Sequence, residues 1–197
     1  KKAINLKKYD SQIILSTDFS NDELNLSEFL LDNIAIHRRS IKVSQNNSST
    51  ESTLNELLNV HNFRHFRNSN GYVLMMQVTS PLVELESLQK GIKLYLNSFK
   101  KNTTVFSAYK YKQFTWVKEG NNFEPISYDP LNRSNTQMMK DYFQETGGFY
   151  IFPIKGFLNK INRFMDYRTP LKINQIESLD IDEIEDLYTA KKYYKAA

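Results

Sequence analysis

A chain of 197 residues with no cysteine and a net charge of +4, 26 basic against 22 acidic side chains, suits one domain with a sizeable core. Without cysteine, disulfide scaffolds, thiolate nucleophiles and cysteine-held zinc are excluded, so any chemistry rests on oxygen and nitrogen groups. Both charge signs are interspersed, which argues against a nucleic-acid surface, and apolar runs such as Phe149 to Phe152 fall far short of the roughly 20 residues that span a bilayer. The expectation is an intracellular protein, cytoplasmic or, in an animal, nuclear, with no nucleic-acid and no membrane partner.

Residues 1–9 do not alternate and read as the end of a helix, so the chain is expected to begin mid-element. Gln12 to Leu15 is a short strand, and Ser20 with Glu23 forms a capping box opening a helix through Leu31, with Leu24, Phe29 and Leu30 toward the core. Ile34 to Ile36 is the next strand. Ser49 or Thr50 then caps a helix carrying Leu54, Leu57 and Leu58, Tyr72 to Met76 is a third strand, and Leu85, Leu88, Ile92 and Leu96 mark a further helix. From about 104 to 127 the texture changes to adjacent strands, TVFSAYKY and QFTWV, with a turn at Glu119-Gly120-Asn121-Asn122. Gly147-Gly148 leads back to the apolar strand Phe149 to Phe152. A helix around 154–164, a strand near Leu171 to Ile173 and a helix from Glu183 close the chain. Alternating helical and strand periods predict an α/β domain on a mainly parallel sheet with an antiparallel excursion.

In such sheets ligands sit beyond the carboxyl ends of the parallel strands. Four polar clusters follow strands here: Ser16-Thr17-Asp18, His37-Arg38-Arg39-Ser40, Gln77-Val78-Thr79-Ser80, and the segment from Glu177 to Asp182. Asp180 and Asp182 are spaced so that an extended backbone points both carboxylates to one side, and two close carboxylates call for a cation. With no cysteine and no histidine partner, the donor set favours magnesium, with manganese as the alternative, and magnesium brings substrate phosphates. Arg38 and Arg39 suit the charge of such phosphates, while a solvated pair is the plain alternative. Asp182 could equally cap the last helix. His61 and His65 have metal-like spacing without a third ligand, and the stretch from His61 to Arg67 is basic and aromatic.

Six segments, IILSTD (13–18), RRSIKVSQNNSST (38–50), LMMQVTSPL (74–82), KQFTW (112–116), ETGGFYIF (145–152) and ESLDIDEIEDL (177–187), stand in an order that resembles the acylneuraminate cytidylyltransferases, the CMP-sialic acid synthetases. The likeness runs along nearly the whole chain. It implies a three-layer α/β/α nucleotidyltransferase fold, Rossmann-like, over one domain (1–197), with 104–140 as an antiparallel dimerisation element that helps complete a neighbour's sugar site. It implies a reaction between CTP and a nonulosonic acid such as N-acetylneuraminate, in a homodimer or tetramer. By position, Asp180 and Asp182 would hold magnesium against the triphosphate, Arg38 would contact the nucleotide, and Asn47, Ser48 and Ser49 would meet the cytosine. Gln77, Thr79, Ser80 and Tyr150 would line the sugar side.

The chain also departs from that pattern. Relatives begin with a strand and a basic, Gly/Ser-rich loop that cradles CTP; nothing here matches it, so the domain is expected to be shortened at its amino end. Val83, Thr115 and Thr136 stand where Arg or Lys is common, Val78 replaces a usual Pro, and Arg133 is placed to compensate. Two other readings remain at this stage: a non-catalytic dimeric member of the fold with a binding or regulatory role, and an RNA- or anion-binding domain using His61 to Arg67.

Overall fold

The computed structural model describes residues 6, 11–19, 34–45, 47–133 and 135–196. The expected helices over 1–9 and from Ser20 to Leu31 lie outside the described residues, but for Leu6. Strands β1 (Ile13–Thr17) and β2 (Ile34–Arg38) pair in parallel, Ile13 opposite Ile34 and Thr17 opposite Arg38, and form a sheet of their own. After them come α1 (Thr50–Asn59), β3 (Tyr72–Met76), α2 (Leu85–Leu96), β4 (Thr103–Tyr111), β5 (Trp116–Glu119) and β6 (Asn122–Pro125). The chain ends with β7 (Tyr142–Pro153), α3 (Ile154–Lys160), β8 (Tyr167–Ile173) and α4 (Ile184–Ala196). A four-stranded sheet has the order β3-β7-β4-β8, and β5 and β6 make an antiparallel hairpin. The Ile154 N–H donates to Gly71 O at one end of β3 and the Gln77 N–H to Gly148 O at the other, so β7 runs antiparallel to β3.

The chain forms two compact units. The first comprises 1–75, 84–105 and 150–168, the second 76–83, 106–149 and 169–197.

In the first unit, α1 begins where the Ser49 hydroxyl accepts from the Ser52 N–H at 3.1 Å, satisfying one of the donors that a helix start leaves orphaned. Its buried face is Leu57 and Leu58. Helix α2 buries Leu88, Gly91 and Ile92, an i, i+3, i+4 stripe. Phe152 and Phe157, both fully buried, pack with ring centroids 5.8 Å apart. Helix α3 stops at Ile161, held in the left-handed region at φ 47°, a conformation that costs a β-branched residue about 1–2 kcal/mol.

The Arg163 guanidinium also belongs to the first unit. It donates to both oxygens of Glu51 from α1, at 2.5 and 3.1 Å, and lies 4.7 Å over the Tyr150 ring. The hydrogen bond from Arg163 holds the Glu51 carboxyl below its ordinary 4.5 against the opposing effect of burial. Because the folded value is depressed, the pair's stabilisation is present above the unfolded pKa and is lost as pH falls through the folded one. Thermal midpoints measured from pH 6 down to pH 3 should therefore fall less in Glu51→Gln than in the parent. At pH 7 the variant should be less stable by about 1–3 kcal/mol, the scale of a hydrogen bond to a charged group.

In the second unit, Ser107 on β4 joins it to β7. Its fully buried hydroxyl accepts from the Phe149 N–H at 3.0 Å and from the Thr146 hydroxyl at 2.8 Å. The hairpin β5–β6 is solvent-exposed along nearly all its length, and Gly120 takes φ 61° at its turn. Trp116, Phe123, Ile126, Leu131, Met138 and Phe143 are exposed large apolar residues around it. Strand β5 begins at Trp116 instead of Gln113 because Ser127 intervenes. Its hydroxyl accepts from the Thr115 N–H at 2.8 Å and donates to Gln113 O at 2.7 Å, serving backbone groups a neighbouring strand would otherwise pair. Among the described residues no helix is long and apolar enough to cross a membrane.

Candidate functional site

The residues singled out by sequence fall into both units. In the first, Arg38 is exposed at the end of β2 and donates to Phe19 O, while Arg39 pairs with Asp18. Residues 40–45 and 47–49 turn on Val43 N–H to Ser40 O (3.1 Å) and Ser48 N–H to Gln45 O (2.9 Å), bringing Asn47, Ser48 and Ser49 to the start of α1. Asn47 is exposed, the Ser48 hydroxyl donates to Lys42 O at 2.9 Å, and Ser49 is the helix cap. Tyr150 is buried under Arg163 and meets Phe164 edge-on, centroids 5.9 Å apart.

A buried histidine in this unit was not marked as such by the sequence. His37 is 1% exposed; its Nδ1 lies 2.9 Å from the Ser16 hydroxyl, its partner in the β1–β2 register. Its Nε2 is 3.4 Å from a Glu56 carboxylate oxygen, without the alignment of a hydrogen bond. Burial pushes the His37 pKa down, only partly opposed by Glu56, so the imidazole is neutral near pH 7. For Glu56 burial acts upward, but the Ser40 hydroxyl and N–H, with His37 and Lys42, outweigh it and hold the carboxyl below its ordinary value. In the sequence Ser16 and His37 stand in separate polar clusters; only the register of the two strands makes them neighbours.

In the second unit the structure brings together Gln77, Thr79, Ser80 and Asp180. The chain leaves β3 in a turn closed by Ser80 N–H to Gln77 O at 3.3 Å, and Thr79 O accepts from the Ile181 N–H at 2.9 Å, tying the 180–182 segment to that turn. The Ser80 hydroxyl, 6% exposed, donates to Asp180 Oδ1 at 3.2 Å. Beneath them Gly147 adopts φ 74°, and a β-carbon there would stand 2.7 Å from Gln77 Oε1 and 3.4 Å from Asp180 Oδ2. Sequence reading took Gly147-Gly148 for a connection; both lie inside β7, where glycine marks a close approach.

Asp182 is exposed, and the cap of α4 comes from another residue. Asp186 accepts the N–H groups of Asp182 (3.2 Å) and Glu183 (2.9 Å). Of the departures from the family pattern, Val83 is 1% exposed and would touch a β-carbon at Gly148, Val78 is 84% exposed, and Thr115 is engaged by Ser127. Thr136 lines an open cleft of about 450 Å³ with Phe114, Arg133, Asn135 and Gln137, where the Arg133 guanidinium stacks 4.0 Å from the Phe114 ring centre. His61 and His65 are exposed, and no group of three or more metal-ligating side chains occurs among the described residues.

No family model matches the chain. Over 154 residues it is 29% identical to an N-acylneuraminate cytidylyltransferase from Oncorhynchus mykiss, across 76% of this chain and 33% of that protein. It thus spans about a third of the length of the curated relative it matches. Among solved structures it superposes on a 4-diphosphocytidyl-2C-methyl-D-erythritol synthase from Anaerococcus prevotii DSM 20548 with a TM-score of 0.64 at 15% identity, over 98% of this chain and 85% of that one. A second 4-diphosphocytidyl-2C-methyl-D-erythritol synthase gives 0.62 at 10% identity, over 92% and 80%. The fold is nucleotidyltransferase-like. It is the expected α/β architecture with a mainly parallel central sheet. Within that fold the turn after β3 and the segment before α4 bring together the oxygen-bearing side chains of Gln77, Ser80 and Asp180, a lining whose chemistry suits a hard divalent cation more than a soft one.

Proposed function

We propose that the protein is a cytidylyltransferase that joins CMP from CTP to the anomeric hydroxyl of a sialic acid and releases pyrophosphate. The observation that carries the reading is the convergence of Gln77, Ser80 and Asp180 over Gly147, in segments whose sequence resembles the sialic acid enzymes. The sugar 2-hydroxyl attacks the α-phosphorus, the new P–O bond forms as the bond to the leaving pyrophosphate breaks, and the hydroxyl proton passes to solvent. Such a transfer needs positioning and charge neutralisation more than covalent help. Asp180 and Asp182 would hold magnesium, which when bound neutralises triphosphate charge. Arg38 would add a fixed positive charge to the nucleotide, and Asn47, Ser48 and Ser49 would meet the base. Gln77, Thr79 and Tyr150 are assigned to the sugar side. The exposed apolar residues of 104–140 support assembly as a homodimer or higher oligomer through that element.

Arg133, stacked on Phe114 beside Thr136, offers the guanidinium that the altered positions lack. The test supplies the full-length protein with CTP, magnesium and N-acetylneuraminate and measures pyrophosphate. Turnover is expected, and Arg133→Ala should raise KM for the sugar acid roughly tenfold while leaving KM for CTP unchanged, the signature of one lost carboxylate contact. No turnover with any nonulosonic acid, together with no heat on titrating CTP, would move the protein to the non-catalytic reading, which Val83, buried where a basic residue is common, favours.

A further inference from the structure

We infer that Ser80 is a positioning residue for Asp180 and makes no contact with the sugar. The inference rests on the proposal that Asp180 holds the metal. Ser80 is 6% exposed, and its hydroxyl is directed at Asp180 Oδ1, 3.2 Å away. A hydroxyl so enclosed has its single proton committed to the carboxylate, leaving no donor for a polyhydroxylated ligand. The backbone on both sides of the pair is held as well. Ile181 N–H to Thr79 O anchors the backbone beside Asp180, Ser80 N–H to Gln77 O closes the turn that carries the hydroxyl, and Gly147 bounds Oδ2, with the Gln77 amide over the space a β-carbon would take.

With Oδ1 held by Ser80, Oδ2 is the oxygen left to face a cation, in one rotamer. A carboxylate that would otherwise sample several orientations is thereby set for one. Partners that orient a ligating carboxylate are worth about 10- to 100-fold in metal affinity or activity. Neither the resemblance nor the spacing of residues gives Ser80 this task; it follows from a bond across 100 residues of sequence.

The experiment titrates Mn²⁺ into the full-length protein and its Ser80→Ala and Ser80→Thr variants, reading free Mn²⁺ by electron paramagnetic resonance, and then measures KM and kcat for each. Ser80→Ala should bind Mn²⁺ at least tenfold more weakly and lower kcat by a similar factor, with KM for the sugar acid unchanged. Ser80→Thr, which restores the hydroxyl, should recover both. Equal Mn²⁺ affinity in parent and Ser80→Ala overturns the inference, whether the variant raises KM for the sugar acid, as a sugar contact would, or only lowers the melting temperature, as a structural residue would. If the parent binds no Mn²⁺, the inference and the metal role of Asp180 fall together. If it binds Mn²⁺ with the expected dependence on Ser80 but releases no pyrophosphate, the inference stands and the cytidylyltransferase reading fails.

Discussion

Asp182→Ala in the full-length protein is expected to lower CTP- and magnesium-dependent pyrophosphate release by roughly a thousandfold, about 4 kcal/mol of transition-state stabilisation, without loosening the fold. The second half of that statement comes from the structure. Asp182 is exposed, and the work of closing the start of α4 is done by Asp186, whose carboxylate accepts the N–H groups of Asp182 and Glu183. Alanine at 182 keeps its own backbone N–H, so stability should change by no more than about 0.5 kcal/mol, as at most surface positions. Asp186→Ala should do the reverse, losing about 0.5–2 kcal/mol of stability with the helix end and leaving turnover largely intact. The two variants, measured side by side for pyrophosphate release and thermal midpoint, separate a metal-holding carboxylate from a helix cap only four residues away. Near-normal release from Asp182→Ala would remove that carboxylate from the metal site.

The largest effect on stability is expected at Phe149. Its side chain is fully buried at the centre of β7, and its N–H is held by the Ser107 hydroxyl. Phe149→Ala removes a buried aromatic ring and leaves a cavity that neighbouring strands cannot close, costing about 3–5 kcal/mol. For a chain of this length that is a drop of roughly 10 °C or more in melting temperature, readable by denaturant or thermal melts in circular dichroism. Ser107→Ala should cost less, about 1–3 kcal/mol, from the unpaired Phe149 N–H, since the Thr146 hydroxyl keeps the Ser107 carbonyl as an acceptor. A cost below about 1 kcal/mol for Phe149→Ala would mean that β7 does not organise the core.

Much of the fold was legible because apolar spacing and turn chemistry agree with it. The stripe of Leu85, Leu88, Ile92 and Leu96 became α2, the run Tyr72 to Met76 became β3, Ser49 capped α1, and Glu119 to Asn122 turned the hairpin. Where reading and structure differ, a side chain or an unusual backbone angle intervenes. Strand β7 starts at Tyr142, before the apolar run at Phe149, because its first half is exposed and carries no hydrophobic signal. Helix α3 ends at Lys160 instead of near 164 because Ile161, a residue that gives no stop signal, takes a left-handed conformation. β8 starts at Tyr167 through residues too polar and exposed to read as a strand. The first two strands run two residues further than the β-branched stretches, into Ser16-Thr17 and His37-Arg38, since their parallel register pairs polar residues as readily as apolar ones.

Of the candidate site, the sequence named the turns but not the bonds within them. Ser80 and Asp180 were both named, from separate segments, yet their hydrogen bond spans 100 positions and leaves no local trace. Gly147 was visible as a glycine; that its missing β-carbon admits Gln77 and Asp180 depends on packing of three segments. His37 stood in the sequence beside two arginines, in a motif that draws attention to charge, while its neutral state follows from burial, which outweighs the opposing pull of Glu56.

The hairpin carries one further consequence. Trp116 is the sole tryptophan of the chain, and it sits 47% exposed on β5, edge-on to Tyr128 at 5.9 Å. The protein's intrinsic tryptophan emission is therefore a local signal from a solvated ribbon, with a red-shifted maximum in the native state. A fluorescence melt follows that ribbon, while the loss of α1 to α4 has to be watched by far-ultraviolet dichroism; any surface that comes to cover β5 announces itself as a blue shift.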